Sequence, residues 1–218
     1  FENEINRAVQ GYVLNSWYNH WSSILIEHIF KSHKSVLPAV GQIKSVDFFI
    51  NNIPFDLKVT YFPSEYLKLK RREKGLPVEL TFLKAKAKSL NINYDKKGKP
   101  SDIYYEITEK LKEKGSKECL NVLTELKNSN IEIVKESQRN PKMLSQWLYE
   151  NQGEMRFGSE NRLFLVLIDT DDFTNSWKLK RNLGVSVFLC KWHLFIMGLY
   201  PQSILQTDLR QIPNHVSA

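Results

Sequence analysis

Hydrophobic positions change their spacing several times along this chain, and each change marks an element. Residues 4 to about 33 hold no proline and one glycine, and Val9, Val13, Trp17, Ile24 and His28 fall near helical spacing. This predicts a long first helix, apolar almost all round in SSILIEHIF, of the kind normally buried on most sides. Its tryptophans and tyrosines are expected in the core on the same spacing. Pro38 and Gly41 break the pattern, with a short strand at VLPAV. Residues 45–60, SVDFFINNIPFDLKVT, then alternate with the period of two that marks a strand pair.

The middle of the chain reads as helices. SEYLKLKRREKG lies between Pro63 and Gly75, with Ser64 as N-cap and Gly75 as C-cap. VELTFLKAKAKSL follows and gives way to the turn-rich NYDKKGKPSD. Ser101 is placed to cap DIYYEITEKLKEK, Gly115 to end it, and Ser116 to start another helix through Leu126. Asn140-Pro141 opens PKMLSQWLYEN. The short, continuous apolar run RLFLVLIDT reads as a buried strand. A final helix near SWKLKRN and the apolar run after Gly184 close the core, and QIPNHVSA reads as an unstructured tail. The expected fold is a mixed α/β single domain over residues 1–218, with a helical insertion at about 63–139.

The hairpin carries an oddity: Asp47, Asp56 and Lys58 interrupt Val, Phe, Ile and Leu. Asn51-Asn52 suits a two-residue turn, because asparagine tolerates positive φ. Ile50 then faces Ile53, Phe48 faces Phe55, Asp47 faces Asp56 and Ser45 faces Lys58. In this register Pro54 falls where no N–H is needed, which supports the pairing independently. Asp47 and Asp56 become a non-hydrogen-bonded pair, with Cα atoms roughly 4.5 Å apart. Val46, Phe48, Ile50, Ile53, Phe55, Leu57 and Val59 take the apolar face, and the charged residues take the other. Facing carboxylates repel by on the order of 0.2–1 kcal/mol. A divalent cation reverses that sign by taking both as ligands, with Lys58 on the same side. The competing account is an ordinary solvent-facing strand that carries Asp and Lys.

At these residues the sequence resembles the PD-(D/E)xK nuclease superfamily, the fold of type II restriction endonucleases. The resemblance rests on the Asp47 strand, the hairpin, and Asp56-Leu57-Lys58 as the DxK element. The order of a first helix containing Glu27, the strands and the later RLFLVLIDT fits that family's helix–three strands–helix–strand core. Val46 stands where the family's eponymous proline would be. The resemblance implies a restriction-endonuclease-like core, a central mixed sheet flanked by helices. It also implies Mg²⁺ held by Asp47 and Asp56, with the Leu57 carbonyl as a further ligand and Glu27 as a first-helix acid beside the metal. Lys58 would activate the attacking water and stabilise charge on the phosphate. The implied activity is endonucleolytic hydrolysis of double-stranded DNA, often by a homodimer so that both strands are cut.

Composition narrows this picture only a little. The chain has 218 residues and a formal charge of +7, which favours an acidic partner. Cys119 and Cys190 supply no disulfide framework, and no apolar run is long enough for a bilayer, so a cytoplasmic protein without a membrane partner is expected. The histidines show no zinc-ligand spacing, and no Walker A or G-x-G-x-x-G pattern is present. The basic runs LKLKRREK, KAKAK and DKKGK could track phosphates or simply be solvated helix faces. Glu4, Gln42, Lys44, Gln146 and Gln152 are weaker site candidates. Two rival readings stay open: a non-catalytic nucleic-acid-binding protein on the same fold, and a helical interaction protein with no metal site.

Overall fold

Asn51 and Asn52 take φ values of 52° and 63°. A two-residue hairpin turn whose twist matches its strands needs positive φ at both central positions, and this fixes the register around it. A computed structural model describes residues 2–32, 34–40, 46–151, 161–179 and 195–198. The fold is mixed α/β, in two compact units: residues 1–62 with 141–218, and residues 63–140.

The first unit begins with α1 (Glu2–Lys31), followed by β1 (Val36–Pro38), β2 (Phe48–Ile50) and β3 (Ile53–Tyr61). After the helical unit come α6 (Pro141–Asn151), β4 (Asn161–Leu167), a 3₁₀ turn at Phe173–Asn175, α7 (Ser176–Leu179) and β5 (Phe195–Gly198). The five strands stand in chain order. β1–β2 and β2–β3 are antiparallel, β3–β4 is parallel, and β4–β5 is antiparallel. Ile50 faces Ile53, Phe49 faces Pro54 and Phe48 faces Phe55, the register read from the turn.

One face of this sheet is the core. Val36, Phe48, Phe55 and Leu163 are buried together, with Ile50, Ile53 and Leu57 packed against them. The Phe48 and Phe55 rings stack with centroids 6.4 Å apart. β4 is buried on both faces, from Leu163 through Val166, as its continuous apolar run requires.

α1 corrects the expectation of a helix buried on most sides. Ser22 and Ile26 are buried, whereas Trp17, Tyr18, Trp21, Ile24 and Leu25 are exposed, and Tyr12 is 74% exposed. Its aromatics are therefore surface, not core. A helix apolar all round has no stripe to tell which flank meets the sheet, so burial could not be assigned from spacing.

The second unit holds α2 (Ser64–Glu73), α3 (Glu79–Ser89), α4 (Pro100–Lys114) and α5 (Lys117–Arg139). Leu83, Ala87, Ile107, Leu111 and Cys119, all at 0% exposure, centre its core. α2 ends in a Schellman motif: Leu76 N–H donates to Arg71 O (2.8 Å), Gly75 N–H donates to Arg72 O (2.9 Å), and Gly75 has φ +69°. Ser116 caps α5 by accepting from Cys119 N–H at 3.3 Å. Two expected caps move, by one and two residues, because the N-caps are Pro63 and Lys99 rather than Ser64 and Ser101. Pro100 takes the first helical position, where its missing N–H costs nothing, so α4 starts ahead of Ser101. α5 runs past Leu126 to Arg139, with no Gly or Pro to stop it.

Arg71 pins the helical unit from within. It is 1% exposed; its Nε donates to Pro77 O (2.8 Å) and its Nη1 to Ser129 Oγ (2.8 Å) and Asn130 Oδ1 (2.6 Å). Asn130 in turn donates to Glu79 Oε1 at 2.6 Å. α2, α3 and α5 are thus tied through one satisfied polar group. Among the described residues, no helix is long and apolar enough to cross a membrane. The remainder of the final helix, most of the apolar run after Gly184, and the QIPNHVSA tail lie outside the described residues.

Candidate functional site

In a regular strand a residue's N–H and C=O point to the same side; Asp47 departs from that rule. Its N–H donates to Phe55 O on β3 (2.8 Å), while its carbonyl accepts from Ala39 N–H beside β1 (3.2 Å). Asp47 and Phe48 therefore both stand opposite Phe55, the arrangement of a β-bulge, which re-aims the bulged side chain. The expected direct pairing of Asp47 with Asp56 is thereby corrected. The Asp47 carboxylate reaches one residue further instead, and Oδ2 accepts the Leu57 N–H at 2.7 Å. It takes the place a backbone carbonyl would hold had the ladder continued. The Leu57 carbonyl, pointing the same way as its N–H, opens on this side too. Ser45, expected opposite Lys58, lies outside the described residues.

Asp56 projects from the opposite face to the Phe48–Phe55 core and is 7% exposed. Lys58 Nζ lies 2.7 Å from Asp56 Oδ1, which alternation allows because residues two apart share a face. Arg162, the direct partner of Asp56 across the parallel β3–β4 pair, brings Nε to 3.8 Å from Oδ2. The Arg162 guanidinium lies over the Tyr149 ring of α6 at 5.2 Å. Two cations thus flank the buried Asp56 carboxylate.

Asp47 has fewer such supports. Burial pushes its carboxyl above the usual aspartate range, the nearby carboxylates of Glu27 and Asp56 push the same way, and the Leu57 N–H and Lys58 oppose them. Glu27 is thus within electrostatic reach of Asp47, although its own carboxylate is bonded to Lys31 one turn later on α1. Among the described residues, no three His, Cys, Asp or Glu side chains stand where they could jointly hold a metal ion. Any cation here would rest on the Asp47–Asp56 pair and backbone oxygen, without a ready-made third acid.

Of the weaker candidates, Glu4 lies far from this cluster. Glu4 is exposed and lies 23 residues before Glu27 on the same helix, about 35 Å along its axis. Gln146 is exposed on α6 and donates to Glu150 Oε1 at 2.9 Å. Gln42, Lys44 and Gln152 lie outside the described residues. Sequence reasoning missed Arg162 and Tyr149. The visible signal was an arginine opening the apolar run RLFLVLIDT, but only the parallel register places it beside Asp56. Compared with family models, curated proteins and solved structures, the chain matches none.

Proposed function

We propose that this chain is a Mg²⁺-dependent endonuclease that hydrolyses DNA phosphodiester bonds on a restriction-endonuclease-like core, of the type II restriction kind. The observation that carries this reading is the bulge that turns Asp47 out of the ladder and over the Leu57 backbone, beside Asp56 and Lys58. The order of α1, three strands, helices and β4 supports it. So does the poorly compensated charge of Asp47.

Mg²⁺ needs only one or two carboxylates and keeps several waters, so Asp47 and Asp56 with the Leu57 carbonyl suffice in kind and number. When bound there, the ion would polarise a phosphoryl oxygen and lower the pKa of bound water. Lys58, 49% exposed at its side chain, is tethered only at its tip to Asp56. Its long stem lets the ammonium turn toward a phosphate, where fixed positive charge stabilises the transition state. Glu27 would add negative charge behind Asp47. A homodimer would present two such sites, one for each strand.

A non-catalytic nucleic-acid-binding protein on the same fold is the second reading. One observation favours it: Asp56 already has two cationic partners and needs no metal to be stable. Cleavage of supercoiled and linear DNA with Mg²⁺, against EDTA controls and a Lys58→Ala protein, separates the two. The nuclease reading expects metal-dependent cutting that drops about 10²–10³-fold in the variant, the scale of losing one transition-state charge partner. Absence of cutting with wild-type protein on several DNAs refutes it.

A further inference from the structure

Two buried arginines in this chain behave differently. Arg71 spends its donors on Pro77 O, Ser129 Oγ and Asn130 Oδ1, as an arginine that only holds structure should. Arg162 is nearly as deep, with 9% of its side chain exposed, yet its nearest acceptor is Asp56 Oδ2 at 3.8 Å from Nε. That is ion-pair range and too long for a hydrogen bond. Among the described residues its guanidinium donates no hydrogen bond, and its contacts are Asp56 and the Tyr149 ring. Among the described residues no fully buried side-chain nitrogen lacks a partner, so the open edge of the Arg162 guanidinium meets solvent.

We infer that Arg162 is a phosphate-binding residue: its guanidinium, stacked on Tyr149 and paired loosely with Asp56, takes two oxygens of a nucleic-acid phosphate. This rests on the proposed nuclease reading for its ligand class, and extends it to a residue on the neighbouring strand. Arginine presents parallel N–H groups that match phosphate oxygens in bidentate fashion. Tyr149 fixes the plane of the fork from one side, at 5.2 Å from the ring centroid. Lys58 and Arg162 approach the Asp56 carboxylate from two sides, so two cations border the place an anion would take. The ligand would therefore lie between the two cations, against the face that carries Asp56.

The test uses metal-free full-length protein in EDTA, with inorganic phosphate and a DNA dinucleotide as probes and calorimetry or phosphorus NMR as readout. Wild type is expected to bind both, and Arg162→Gln to weaken binding by about tenfold or more, the scale of a charge-assisted hydrogen-bond pair. Arg162→Lys, which keeps the charge but not the fork, should recover part of that loss, and Tyr149→Leu should fall between. Should Arg162→Gln fail a thermal-melt check of folding, Arg162→Lys carries the comparison, with weaker binding expected. Equal binding by wild type and the folded Arg162 variants overturns the proposal, as does no binding by wild type at millimolar probe. Because no metal or cleavage is needed, phosphate binding that depends on Arg162 would stand even if DNA were never cut. Metal-dependent cutting with unaltered phosphate binding in Arg162→Gln would sink this inference alone.

Discussion

At the scale of single residues, the site concentrates what a stable protein would avoid. Asp47 is partly buried, repelled by two other carboxylates and pushed above its usual range, yet its Oδ2 also satisfies the Leu57 N–H. Asp47→Asn keeps an acceptor for that N–H and removes the charge. We expect the variant to be more stable than wild type at neutral pH by a few tenths to about 1 kcal/mol, the scale of a like-charge pair, and to lose metal-dependent cleavage. The pH dependence has a definite sign. A carboxyl with a raised folded pKa binds its proton more tightly when folded, so wild-type stability falls as pH rises from the ordinary aspartate range through the raised value. Urea unfolding across that window should show the two proteins converging in acid and separating toward neutrality. A variant less stable than wild type at neutral pH would mean that the Asp47 charge is compensated by more than Lys58 and the Leu57 N–H.

At the scale of elements, the hairpin is where sequence and structure agree best, and its turn tests why. Asn51 and Asn52 carry φ values that a residue with a Cβ adopts at a cost, smallest for asparagine. Asn52→Gly should stabilise the protein by a few tenths of a kcal/mol and Asn52→Ala should destabilise it by about 1 kcal/mol, both readable in chemical unfolding. Similar stability for the two variants would show that the turn does not set the register. Turn, register and the sorting of Phe48 and Phe55 against Asp56 and Lys58 were legible, because alternation and a proline at a donor-free position are local facts. The bulge at Asp47 was not, since one extra residue in a strand leaves no mark in the hydrophobic pattern. Arg162 was hidden because the register of a parallel pair is fixed by packing far along the chain, not by a turn. The exposure of Trp17 and Trp21 was hidden too, for an all-round apolar helix names no buried side. The cap moved to Lys99 reflects the preference of Pro100 for the first helical position, overriding Ser101.

At the scale of the whole molecule, charge is divided unevenly between the two units. Residues 63–140 carry 18 Lys and Arg against 12 Asp and Glu, a net +6 of the chain's +7. Several of these cations sit in pairs such as Lys68–Glu65, Lys74–Glu136 and Lys86–Glu125. Lys96, Lys97 and Lys99, between α3 and α4, are exposed and carry no ion pair among the described residues. If the helical unit tracks a duplex, replacing these three with glutamine should lower affinity and flatten the dependence of log K on log salt by up to about 3. Filter binding or fluorescence anisotropy across a salt series measures both. An unchanged slope would assign the phosphate contacts elsewhere.

The parallel β3–β4 pair has a consequence for how the chain acquires its site in time. Asn161 donates to Pro54 O at 3.2 Å across 107 positions of sequence. A ribosome adding about 5–20 residues per second would present β3 several seconds before its partner. Throughout that interval Asp56 and Lys58 would stand on an unpaired strand edge, while the helices between could already be folding from local contacts. Assembly of the acids and of Arg162 into one cluster therefore waits until β4 has been made. A nascent chain arrested before β4 would hold the carboxylates without the arginine that flanks them.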